Sequence, residues 1–246
     1  MSHLPHEPER RAAALRIRVP LPGAGPGPGS GGDHVQEVSG LLVRPAEARR
    51  LLVLAHGAGA GMRHPFMEGI ARHLAAHGTA TLRFQFPYTE EGGRRPDAPP
   101  LLMATVRAAV EAAKEVAGDL PLLAGGKSMG GRMTSLATAS DILLGVRGLV
   151  FLGFPLHQAG RPSTGLGAHL GDVRVPMLFL QGTRDRLADL HLLRPLCDGL
   201  GAHVTLEAFD GADHSFHVPK RSGRSDDAVL DDLAAAVDRW AERAGI

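Results

Sequence analysis

The chain has 246 residues, 43% of them apolar and 4% aromatic, with a formal net charge of +1. That length suffices for one large α/β domain, whose core volume must come from Leu, Val, Ala and Met. The balanced charge gives no electrostatic ground for nucleic-acid or membrane partners, the single cysteine excludes an intrachain disulfide framework, and no stretch reaches the length of a membrane span.

Residues 1–13 are polar, without an apolar signal region, and read as a disordered tail ahead of a single domain over 14–246. With the lone cysteine, this points to a cytoplasmic protein. Leu15, Ile17 and Val19 alternate with Arg16 and Arg18, as in a half-exposed strand. Residues 20–32 are rich in glycine and proline and read as a loop to a second edge strand at 38–43. From residue 50 the texture changes to alternating strands and helices. Residues 51–55 form a continuous apolar run, as expected of a strand covered on both faces. Phe66, Ile70 and Leu74 recur at helical spacing, and Gly78 ends that helix. Strands follow at 80–86, 120–124, 146–154, 175–180 and 204–209, and helices at 101–117 and 189–199. Ser225 caps a last helix with Val229, Leu233, Val237 and Trp240 on one face. Such alternation implies a mainly parallel sheet with helices on both faces. Residues 155–174 are too few for a lid domain, so loops 87–100 and 155–174 are expected to border the site.

The segment Gly126-Lys127-Ser128-Met129-Gly130 follows an apolar strand and precedes a helical stretch. Strand, tight turn, serine and helix make this a nucleophile elbow, with the hydroxyl thrust above the sheet. Strand and helix cross closely at the positions two before and two after the serine, and only glycine-sized residues fit there.

A serine hydroxyl needs a base, and the base needs a buried carboxylate to orient it. Asp185 stands in a post-strand turn and His214 follows the strand at 204–209, giving the chain order Ser, Asp, His. All three fall beyond the C-terminal ends of strands, where open α/β sheets place their sites. Asp189, Asp210 and Asp213 rival Asp185, and His217 rivals His214. Asp189 also reads as a helix-start charge, and His217 stands further from the strand. The backbone N–H of Met129 is the first oxyanion donor. The second is assigned to Ala58, with Gly59 as the alternative, in the small-residue loop His56-Gly57-Ala58-Gly59-Ala60-Gly61.

Two phosphate motifs are set aside. Gly126-Lys127-Ser128 lacks the upstream glycine of a Walker A loop, since Pro121 occupies that position. Met62 stands where a dinucleotide fingerprint requires its third glycine. His73 and His77 share one helix face without an evident third ligand, so no metal is expected. No cofactor is required, and Cys197 reads as a core residue.

These features together resemble the α/β-hydrolase superfamily, particularly its lidless, dienelactone-hydrolase-like part. The strings at 56–61, 86–88, 125–132, 154–157 and 181–185 look more specifically like the testis-expressed-protein branch, which includes a subunit of the non-specific-lethal histone acetyltransferase complex. The resemblance implies an α/β-hydrolase fold and a Ser-His-Asp site. It departs at Arg186, where proline is expected, which puts in question the turn that holds Asp185. The function expected is serine hydrolysis of an ester or thioester. The alternative is a non-catalytic interaction subunit, as the chromatin-complex relative suggests. Lys127, His157 and Arg161 are candidate substrate-binding residues; cations facing the pocket would favour an anionic small molecule.

Overall fold

A computed structural model describes residues 12–22 and 35–246. The expected tail as far as residue 11, and the expected loop from residue 23 onward, lie outside the described residues. The strands are β1 (Ala13–Pro20), β2 (Val35–Val43), β3 (Arg50–Ala55), β4 (Thr79–Phe84), β5 (Leu122–Lys127), β6 (Val146–Leu152), β7 (Met177–Gly182) and β8 (Val204–Phe209). They form one sheet in the order β1-β2-β4-β3-β5-β6-β7-β8. β2 pairs antiparallel with β1 and with β4, and all other pairings are parallel.

Strict alternation along the central strands divides the core in two. Leu51, Val53, Phe151 and Phe179 face a layer built from α3 (Pro99–Ala117), α4 (Met129–Ser140) and α5 (Leu190–Leu200). Leu52, Leu54, Val150 and Leu180 face α1 (Pro65–Ala76) and α6 (Asp226–Arg243). Both faces being covered explains why these strands read as unbroken apolar runs. A one-residue slip would exchange every side chain between the layers, so the register is tightly specified.

The connection from β3 leads to β4 on one side, while β5 lies on the other. Strand order therefore reverses between β3 and β5, and the crevice beyond their C-terminal ends is the place such a sheet offers a ligand.

The expected elements are present, with corrected ends. β4 stops at Phe84 because Gln85 N–H turns to the Ser39 carbonyl and Phe86 N–H to His56. β6 stops at Leu152 because Gly153 takes a positive φ of 71°. The short helix α2 (Pro87–Glu90) and a 3-10 segment at Gly165–Asp172 are additional. Among the described residues, no helix is long and apolar enough to cross a membrane.

Candidate active site

Ser128 sits between β5 and α4 with φ 50° and ψ −117°, a conformation rare for a side-chain-bearing residue. The strain is imposed by close crossing. A Cβ on Gly126 would stand 2.4 Å from the Ala55 carbonyl oxygen, and one on Gly130 would stand 2.6 Å from the carbonyl oxygens of both Ala55 and His56. These are backbone atoms in the paired strand β3 and its exit, so nothing flexible can yield.

A continuous chain of hydrogen bonds begins at this serine. His214 Nε2 lies 2.9 Å from Ser128 Oγ, and His214 Nδ1 lies 2.7 Å from Asp185 Oδ2. The Asp185 side chain is fully buried, whereas that of His214 is 26% exposed. Asp185 also accepts from Gln181 Nε2 at 2.5 Å and from Leu187 N–H at 2.8 Å. The Leu187 bond, with Asp185 N–H donating to the Gly182 carbonyl, closes the turn without the proline expected in place of Arg186. The loop after β8 is fixed by Asp213, which accepts from Ser215 and His217 N–H, and by Phe216 at φ 62°.

The rival residues are occupied elsewhere. Asp189 caps α5 by accepting from His191 N–H, and Asp210 accepts from Thr183. His217 pairs with Asp226, which raises its pKa above the ordinary histidine value. Cys197 is buried, and desolvation pushes its thiol up to about 12, in keeping with a core role.

The loop after β3 lies across from the serine. His56 is buried and held neutral, its pKa pushed down to about 4 by desolvation. One ring nitrogen contacts the Gly57 carbonyl and the other accepts from Phe86 N–H, so the ring shapes the loop. Of the two N–H groups expected to meet an oxyanion, that of Gly59 donates to Tyr88 Oη at 3.2 Å. Met129 opens α4, so its N–H belongs to the unpaired first turn beside Ser128.

Between these parts lies a cavity of about 330 Å³, lined by residues that include Ala58, Phe66, Met67, Lys127, Ser128, Leu187 and His214. None of its lining comes from loops 87–100 or 155–174, contrary to expectation; Phe66 and Met67 of α1 and Leu187 border it instead. His157 and Arg161 also fall outside it. Both His157 nitrogens are engaged, with the Gln158 carbonyl and with Asp189 N–H, and Arg161 lies in a separate groove beside His157. Lys127 is at the cavity, yet its Nζ is buried without a hydrogen-bond partner.

Gln181, Tyr88 and Leu187 escaped the reading of single residues. A buried glutamine closing an apolar strand, four positions before the acid, was the available signal for Gln181. His73 and His77 join α1 to α6 through Asp227 and Asp231. Among the described residues no group of three or more His, Cys, Asp or Glu could hold a metal ion.

An eight-stranded, mostly parallel sheet with a strained serine at its reversal point defines the α/β-hydrolase class. The family profile of the alpha/beta hydrolase domain matches residues 48–242, and the chain belongs to that family. Solved structures of similar fold include a lidless serine hydrolase from Xanthomonas campestris, 21% identical, with TM-score 0.69 over 96% of this chain and 98% of the other. A dienelactone hydrolase from Anabaena variabilis is 21% identical, with TM-score 0.68 over 95% and 98%. An esterase from Pyrococcus furiosus is 14% identical, with TM-score 0.71 over 95% and 91%.

Proposed function

We propose that the protein is a serine hydrolase that cleaves a carboxylic ester or thioester through an acyl-enzyme intermediate. The observation that carries this reading is the unbroken hydrogen-bond chain from Ser128 through His214 to the buried Asp185. Ser128 Oγ attacks the carbonyl carbon as His214 Nε2 takes its proton. Asp185 orients the ring and stabilises the imidazolium. The N–H groups of Met129 and Ala58 receive the oxyanion, aided by the positive end of α4. His214 returns the proton to the leaving group, and water, activated by the same base, releases the acid. No cofactor enters this sequence.

The substrate is a small molecule. Phe66, Met67, Ala60 and Leu187 make the cavity wall largely apolar, and about 330 Å³ suits a short acyl group. With Arg161 and His157 elsewhere, a preference for anionic substrates would rest on Lys127 alone. Its ammonium has no open surface, which favours neutral acyl groups. Action in the cytoplasm and membership of the testis-expressed-protein branch belong to the same proposal, the latter carried by residues 125–132 and 154–157.

A fluorophosphonate probe tests the reading. Ser128 should label, and Ser128→Ala should abolish labelling and lower ester turnover by about 10³-fold or more with the melting temperature unchanged. A folded protein that never labels at Ser128 would be a non-catalytic interaction subunit instead.

A further inference from the structure

Lys127 is the residue that the chemistry above leaves unused and that ordinary packing does not explain. A lysine normally lays its stem on apolar surface and keeps its ammonium in water. Here the residue is buried and Nζ has no hydrogen-bond partner. It stands over two aromatic faces, 5.8 Å from the Phe66 centroid and 5.7 Å from that of Phe216, as a desolvated cation–π contact requires. A Cβ on Gly153 would lie 3.1 Å from Nζ, 3.5 Å from the His214 carbonyl oxygen and 3.6 Å from Asp185 Oδ2. The amine and the buried carboxylate thus share one small space beside Gly153.

We propose that Lys127 is a positioning residue, a buried positive charge beneath the Asp185–His214 pair that sets the pH range over which His214 can accept the Ser128 proton. This rests on the serine-hydrolase reading. Among the described residues, Asp185 is hydrogen-bonded by Gln181, Leu187 N–H and His214, and no full cation touches its charge. The ammonium compensates it at short range. When His214 takes the serine proton, a second positive charge forms in the same space, and the ammonium opposes it. At an effective dielectric near 20, two like charges several ångströms apart oppose each other by roughly ten-fold or more in the proton equilibrium.

The groups facing Nζ are Asp185 from the loop after β7, Asp213, His214 and the ring of Phe216 from the loop after β8, and the ring of Phe66 from α1; His64 lines the same cavity. Burial pushes the amine down to about 8, partly offset by Asp185 and Asp213. Lys127 is therefore charged through neutral pH and discharges just above it.

The test compares wild type with Lys127→Met, in which the stem and its contact with both rings survive while the charge goes. The readouts are kcat/KM for a short neutral aryl ester and the rate of fluorophosphonate labelling, both from pH 5 to 9.5. Lys114→Met, at a partly exposed lysine paired with Glu111, controls for net charge. Wild type should show an acid limb and a second rise near pH 8. Lys127→Met should lose the second rise, and its acid limb should move up by about one pH unit, a ten-fold loss of relative rate on that limb. The control should match wild type. Superimposable normalised profiles for wild type and Lys127→Met would overturn the proposal, as would a wild-type plateau flat from pH 7 to 9.5. The wild-type profile alone decides if the variant does not fold. Absence of labelling at every pH would instead refute the functional reading.

Discussion

Replacing Gly130 by alanine puts one methyl group where β3 and α4 cross. The new Cβ would stand 2.6 Å from the carbonyl oxygens of Ala55 and His56 and 2.7 Å from the Ala55 carbonyl carbon. Relief requires a shift of about 0.4 Å or more, because a Cβ essentially never comes within 3.0 Å of such an atom. Ala55 cannot move freely, since it is registered between Phe84 of β4 and Gly126 of β5. Overpacking against a fixed backbone costs about 3 kcal/mol. For a chain of this size that corresponds to a fall in melting temperature of about 6–12 °C. His56 begins the loop that carries Ala58, so the same shift should misplace the oxyanion donor and lower kcat more than KM. Gly199 in α5 is the matched contrast, for its added Cβ meets nothing within 4 Å and its φ is unexceptional. Gly199→Ala should stabilise by up to about 1 kcal/mol through helix propensity. Urea and thermal unfolding, followed by circular dichroism and the fluorescence of Trp240, measure both. A Gly130→Ala variant that melts within a degree of wild type would refute the account of the elbow.

Gln181→Leu should destabilise by about 1–2 kcal/mol, because it removes a hydrogen bond to the buried Asp185 carboxylate, partly offset by loss of a buried amide oxygen, Oε1, that has no partner. It should lower kcat about ten-fold through looser orientation of Asp185, and unchanged kcat would show the amide to be dispensable. Asp238→Asn should destabilise by about 3 kcal/mol, because Arg50, buried to 2% exposure, would lose its carboxylate. Burial alone would raise the Asp238 pKa, but bonds from Arg50 and Arg49 outweigh it and hold it below the usual 3.8. A depressed carboxylate contributes stability above its unfolded value and loses it as pH falls through the folded one. Wild type should therefore lose this contribution below about pH 4, and the difference from Asp238→Asn should shrink there; an unfolding difference independent of pH from 2 to 7 would contradict it.

Much of the candidate site was legible because its signals are local. Gly126 and Gly130 flank Ser128 within five residues, and the order Ser128, Asp185, His214 follows from strand ends that apolar runs disclose. The Ser225 cap and the helix it starts are local in the same way. What stayed hidden depends on contacts between distant segments. Nothing near Lys127 in the chain says that Phe66 and Phe216 enclose its amine, or that Tyr88 claims the N–H of Gly59. Arg161 and His157 looked like pocket cations because their loop follows a central strand, but the 3-10 turn and the bond from Asp189 carry that segment away from the cavity. Proline after the acid was expected to hold its turn, and the Leu187 bond holds it in its place.

His214 hangs from β8, which among the described residues pairs only with β7 and is half-buried along most of its length. Ser128 follows a strand at the centre of the sheet, so the two ends of the proposed proton relay belong to regions of unequal persistence. Edge segments open locally at lower free energy than central ones. Hydrolysis should consequently fade on warming while the central sheet is still intact, and amide exchange in β8 should follow the loss of activity more closely than exchange in β5.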